Sequence, residues 1–359
     1  ETGIWVFVLA ATATSFSGWT FVGHPGKIFT DGLPYAFASF YALTIPFTGV
    51  LFLRRQWVLG RAYRYITPGE MYSDYYGGNS IRMLTVLVAF LFSVPYLGVQ
   101  LRASGDLFSV LTDGLVNPNT GMIALSTVVM IYVASGGLRS VAFVDCAQAV
   151  LLALGIAILG GIVIYYAGGW GGFTASFAEV VRNDLALDNN LTSDGFSSKV
   201  ALPGSIQFVS SGAQSIGGGW TGIMCMTYMF ALMGIQSSPA FSMWAYSNKT
   251  SRAFRWQQVV ASSLVIGVIL FSFTIIQGIG GHVLIEKGVI ENATDKNLIP
   301  QLINLLSDSA PWLVGLLAVC ALAAMQSTGA AYMSTFSAMV TKDIYTRYVS
   351  PKASDKEQK

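Results

Sequence analysis

Charge is scarce in this sequence. Asp, Glu, Lys and Arg make up 11% of its 359 residues, where soluble domains carry about 25%. That is too little polar surface to cover a soluble core of this length, so an ordinary soluble domain is excluded. The net charge is only +2, which leaves no basic footprint for nucleic acid. The three cysteines, Cys146, Cys225 and Cys320, lie far apart within apolar stretches. That spacing supports neither a disulfide framework nor a zinc site, and the three are expected to pack as small hydrophobes. The two histidines, His24 and His282, fall at or beyond span ends and read as interfacial residues rather than ligands. There is no HExxH, no G-x-S-x-G and no P-loop, and the GxG strings lack a strand–helix context. No enzyme is expected.

What is abundant is apolar residues, 53% of the chain, and glycine, 38 residues. Glycine is enriched in membrane helices, where it permits close packing. The simplest solvent for this composition is lipid. A spanning helix needs about 20 apolar residues, and eight stretches qualify, near 3–23, 33–53, 83–105, 119–137, 141–168, 219–246, 256–280 and 310–340. Pro46, Pro95 and Pro239 fall inside spans and are expected to kink them. The whole chain, 1–359, reads as one transmembrane domain, all-α and polytopic.

The basic residues test this partition. Alternating sides puts fourteen of them, including Arg54, Arg55, Arg61, Arg64, Arg82, Arg139, Arg252 and Lys342, on one side and six on the other. Positive loops stay cytoplasmic, so both the N-terminus and the C-terminal tail are expected there, in the cell's inner (plasma) membrane. The long connections near 169–218 and 281–309 then lie outside, with short helices expected near 173–182 and 298–307. Glu1 is not Met and no basic leader precedes the first span, so a piece of a longer protein is expected.

Function should reside where polar groups interrupt these spans. Ala11–Trp19, ATATSFSGW, packs five Thr, Ser or Gly into nine residues. Hydroxyls compete for backbone groups and glycine is flexible, so the helix is weakened there. An unwound turn at mid-membrane presents carbonyl oxygens to a hard cation; small residues also serve close packing. In the eighth span Gln326, Ser327 and Thr328 interrupt an apolar helix, and the paired hydroxyls suit either a cation or their own backbone. Asp145 is the clearest acid within an apolar run; such acids are costly and usually functional, unless this one is interfacial and pairs with Arg139. Arg102 fits a substrate carboxylate or snorkels to the headgroups. Gln100 and Gln236 are further polar groups inside spans.

Four stretches, ATSFSGWTFVGHPGKIF (13–29), TPGEMYSDYYGG (67–78), SGGLRSVAFVDCAQ (135–148) and LAAMQSTGAAYMSTFSAMVTKDIY (322–345), resemble the sodium:solute symporter family in order and approximate spacing. The resemblance implies a LeuT-type core of two inverted repeats, of which this chain would hold helices one to eight. It also implies a Na⁺ site built from the carbonyls of Ala13, Phe16 and Ala324 and the hydroxyls of Ser327 and Thr328, with Asp145 as a nearby acid. A further family ion uses hydroxyls one turn later, where this chain has Ala330 and Ala331, so one sodium per solute is expected. Some members carry an Asp where this chain has Ser15.

The resulting expectation is sodium-coupled symport, by alternating access, of a small polar organic solute: a monocarboxylate, an amino acid such as proline, or a sugar. Ser15, Ser17, Thr20, Gln100, Arg102 and Gln236 are the expected substrate contacts. The alternatives are a transporter-like sensor fused to a signalling domain, and a proton-coupled carrier using Asp145.

Overall fold

The structure is a computed structural model and describes residues 3–38, 41–188, 191, 195–201, 220–354 and 357–358. These residues are almost wholly helical; the sole strand-like pairing among them is a single bridge between Leu191 and Ser197. The helices are α1 (Ile4–Ser15), α2 (Trp19–Asp31), α3 (Leu33–Ala38), α4 (Tyr41–Tyr63), α5 (Pro68–Tyr76), α6 (Asn79–Leu111), α7 (Pro118–Gly137), α8 (Arg139–Tyr166), α9 (Gly169–Ala186), α10 (Gly222–Ser237), α11 (Pro239–Ser247), α12 (Arg252–Glu286), α13 (Leu298–Asn304) and α14 (Pro311–Val349). Among the described residues α6, α7, α8, α12 and α14 are each long and apolar enough to cross a membrane, and the bent pair α1–α2 counts as a sixth. Their outer faces carry Leu87, Leu91, Ile123, Ile131 and Leu154 in the open. An apolar surface of that extent calls for lipid or further protein rather than water.

Local chemistry sets the helix ends. At α5, Thr67 accepts from the Glu70 amide while the Glu70 side chain reaches back to the Thr67 amide, a reciprocal cap. Prolines 118, 239 and 311 begin α7, α11 and α14, where the missing N–H is harmless. Gly137 has φ 59° and ψ −165°, a conformation open only to glycine, and it separates α7 from α8.

Four features differ from the sequence reading. The stretch 219–246 is not one helix: α10 tightens into a single narrow turn over Gly234–Ser237, and Ser238 is extended with ψ 154°. The residue before a proline is pushed out of the helical region, so Pro239 starts a new helix instead of kinking an old one. The chain after residue 53 remains helical to Tyr63, because arginine is a good helix former and Arg61 finds the carbonyls of Asn248 and Lys249 at 3.2 and 3.0 Å. The short outer helix expected near 173–182 is the longer α9, and the one near 298–307 is α13. His24 is fully buried, with Nδ1 3.0 Å from Thr274 Oγ1; α2 continues inside the bundle past the point where a span end was expected.

The core is packed where α8 meets α2 and α14. A Cβ on Gly155 would lie 2.5 Å from Cys320 Cβ and 2.8 Å from the Phe21 ring. Gln277 of α12 donates to Ile156 O at 2.8 Å on the same helix. Gly155→Ala should therefore force α8 and α14 apart at a cost of about 1–3 kcal/mol. A lower thermal midpoint of the purified protein in detergent measures this; an unchanged midpoint would show that the contact is loose.

Candidate functional site

The polar interruption of the first span is a break in the helix. Thr12, Thr14 and Ser15 donate their hydroxyls to the carbonyls of Val8, Ala10 and Ala11, at 2.6, 3.0 and 2.9 Å. Phe16 then turns extended, with φ −114° and ψ 107°, and its carbonyl leaves the helical ladder. The chain resumes as α2 after a bend of 54°, its first turn widened over Trp19–Gly23. Wide turns of this kind are frequent at functional sites. The freed amides find side-chain partners: Ser17 N donates to Thr20 Oγ1 at 3.3 Å and Gly18 N to Gln100 Oε1 at 2.8 Å. A Cβ on Gly18 would sit 2.4 Å from Met325 of α14 and 2.9 Å from Gln100 of α6. Two other helices thus close on the break, and any side chain at residue 18 would have to displace Met325 and Gln100.

α14 brings its hydroxyl pair to the same place. Ser327 Oγ lies 3.3 Å from Ala13 O and 3.3 Å from Ala324 O, linking α14 to the end of α1. Thr328 Oγ1 is buried with no hydrogen-bond partner among the described residues. Hard cations hold oxygens at about 2.4 Å, which puts neighbouring octahedral oxygens about 3.4 Å apart. Ser327 Oγ therefore already stands, from Ala13 O and from Ala324 O, at a spacing a small hard cation accepts, and the Thr328 oxygen has a vacant lone pair.

Asp145 is fully buried on α8, and neither carboxylate oxygen has a hydrogen-bond partner among the described residues. It makes no ion pair with Arg139, which is exposed at the start of the helix. A carboxylate buried without donor or counter-charge is expensive, and a neighbouring cation removes that cost.

The other residues singled out in the sequence divide into two groups. Ser17, Thr20 and Gln100 meet at the break, and Gln100 Nε2 is buried without a partner. Ser15 spends its hydroxyl on its own helix. Gln236 sits in the narrow turn of the second broken helix, accepting from Gln258 Nε2 at 3.1 Å, with its own Nε2 unpartnered. Arg102 finds its hydrogen-bond partner elsewhere. Its side chain is 60% exposed and pairs with Asp106 one turn along α6 at 3.1 Å. It lines a cavity of about 460 Å³ together with Gly18 and Trp19 of the break, Lys27 and Lys296.

The sequence reading passed over a polar layer that ties the two broken helices together. Trp244 Nε1 of α11 donates to Thr14 Oγ1 at 3.1 Å, and Gln257 Nε2 of α12 reaches Thr12 Oγ1 at 3.4 Å. The adjacent Gln257 and Gln258 inside the seventh apolar stretch were the available signal, since buried amides in a span need partners. Tyr332 of α14 and Ser238, at the break before α11, meet hydroxyl to hydroxyl at 3.3 Å.

Known proteins resemble this chain over nearly its whole length. The sodium/proline symporter of Escherichia coli is 25% identical over 365 residues, covering 99% of this chain and 65% of that protein. The sodium/pantothenate symporter of the same organism is 22% identical, covering 95% of this chain and 63% of that protein. The chain thus spans about 65% of the length of these curated relatives. A Na⁺-coupled sialic acid symporter, solved in a substrate-bound outward-open state, superposes over 100% of this chain and 69% of its own with a TM-score of 0.76 and 17% identity. The shared fold is the all-helical LeuT type. The family model described as "Sodium:solute symporter family" matches residues 1–359. With a broken first helix that meets the α14 hydroxyl pair and a family match over its whole length, the chain belongs to the sodium:solute symporter family.

Proposed function

We propose that the whole protein carries a small polar organic solute across the plasma membrane by sodium-coupled symport. The observation that carries this reading is the junction of Ser327 with Ala13, with the unpartnered Thr328 hydroxyl beside it. Na⁺ is held by the carbonyls of Ala13, Phe16 and Ala324 and the hydroxyls of Ser327 and Thr328. It bridges α1 to α14 and biases the bundle toward the state open to the outside. The solute binds beside the break, where Ser17, Thr20 and Gln100 offer hydroxyl and amide groups, with Gln236 facing from the second break and Ser15 and Arg102 further out. Loss of Na⁺ to the cytoplasm releases the α1–α14 bridge and lets the bundle reset. The side that holds both the first residues and the Lys342 end of α14 is the cytoplasmic one on this reading.

Proline, pantothenate and sialic acid, in the names of the related proteins, all bear a carboxylate. An anionic or zwitterionic solute is the first class to try. The test is uptake by the full-length protein in liposomes, screened against amino acids, monocarboxylates, sugars and vitamins. An inward Na⁺ gradient should drive accumulation of one class, with a Hill coefficient for Na⁺ of about 1. The buried, unpartnered Asp145 favours one rival, proton coupling. Accumulation driven by a pH gradient in sodium-free buffer, and abolished by Asp145→Asn, would replace the sodium reading with that one.

A further inference from the structure

Hydroxyls on membrane helices ordinarily bond back to the carbonyl one turn earlier. Thr12, Thr14, Thr85 and Thr127 all do so. On α14, Thr328 Oγ1 and Ser334 Oγ are both buried and neither has a partner among the described residues. Thr328 belongs to the junction already described. Ser334, 8% exposed, does not.

Ser334 lies seven residues beyond Ser327, two turns and about 10 Å further along the same face of α14. It lines a cavity of about 470 Å³ that α14 shares with α11 and the α7–α8 junction. Ser135, Ser337 and Thr341 place further hydroxyls around this space, and the backbone of Gly136 and Gly137 forms part of its wall. The non-helical Gly137 breaks the ladder there, so the carbonyls of the preceding turn lose their usual amide partners. The described lining therefore offers oxygen donors and no carboxylate. Lys342 stands at the far end, its Nζ held by Gln358 Oε1 at 2.6 Å. Neutral oxygens with a cation nearby make a weak site for a hard cation, one that is easily left.

We propose that Ser334 is a second, transient ligand for the coupling cation, a staging point between the Ser327–Thr328 pair and the side of the membrane at Lys342. The inference rests on the sodium-symport reading and adds to it the route of release. A helix that carries its binding hydroxyls and its exit hydroxyl on one face needs no separate channel: the ion moves down α14 once α1 withdraws.

The test uses the full-length protein in liposomes with Na⁺ varied on both sides. Ser334→Ala should lower the maximal uptake rate several-fold and leave the half-saturating outside Na⁺ unchanged. It should also weaken inhibition by Na⁺ on the inside several-fold, and Ser334→Thr should restore both. Thr328→Ala serves as the control for the main site. If Thr328→Ala raises the Na⁺ requirement while Ser334→Ala behaves as the parent, the release route is wrong and the symport reading stands. If neither changes the response to Na⁺, both fall. Should Ser334→Ala fail to reach the membrane, Ser334→Cys gives an independent readout. Its modification by a charged thiol reagent from the inside, above the parent's background, should be slowed several-fold by Na⁺ and not by choline. Absent or sodium-insensitive labelling overturns the proposal.

Discussion

Replacing Ser327 and Thr328 together by alanine should raise the Na⁺ concentration for half-maximal uptake on the order of a hundredfold. Each hydroxyl removed from a charged ligand costs about 1.5 kcal/mol, and two such losses multiply to roughly that factor. The junction explains why the effect should fall on sodium rather than on folding. Ser327 touches Ala13 O and Ala324 O only at 3.3 Å, and the Thr328 hydroxyl has no hydrogen-bond partner among the described residues to lose. Initial uptake rates over a range of Na⁺, with thermal stability in sodium-free buffer as the control, measure both. An unchanged sodium dependence would remove these residues from the site.

The second large effect concerns the C-terminal end of α14. Asp343 is fully buried, and its Oδ1 accepts from Arg82 Nε at 2.8 Å and from Thr67 Oγ1 at 2.9 Å. Gly69, in the first turn of α5, leaves no room for a Cβ, which would stand 2.8 Å from Asp343 Oδ2. The carboxylate is thus sealed against α5 and α6. Arg82→Ala strands that charge, and removing one partner of a buried pair costs about 3–5 kcal/mol. The variant should lose most of its monodisperse protein on extraction. Arg82→Ala combined with Asp343→Asn should recover much of it, because the amide carries no charge to strand. The looser contact of Arg82 with Glu70, 3.5 Å, is partly exposed and contributes little. A single Arg82→Ala variant as stable as the parent would contradict this account.

Ser327 and Thr328 were conspicuous in the sequence by type, and their partners were not. Hydropathy is a local property, so the apolar stretches that became α6, α7, α8, α12 and α14 were visible residue by residue. So was the weakness at Ala11–Trp19, because hydroxyls and glycine unsettle a helix through their own backbone. The same local logic missed the narrow turn before Pro239 only in kind: a proline was expected to bend the span, and it ended one helix and began another. The partner of each polar group depends on which helices are neighbours, and composition carries no information on that.

Arg102 illustrates the limit. Its charge near a span end suits a substrate carboxylate, and the structure adds that Asp106, four residues on, lies on the same helical face and pairs with it. His24 looked interfacial because the first span was expected to end at residue 23, whereas the bend carries α2 onward and turns the ring to Thr274. Residue types along the chain were enough to show a membrane bundle with an interrupted first helix and a hydroxyl pair on the eighth span. That the two meet came from the packing of distant segments, since an oxygen becomes a ligand only when other oxygens are brought within about 3.4 Å of it.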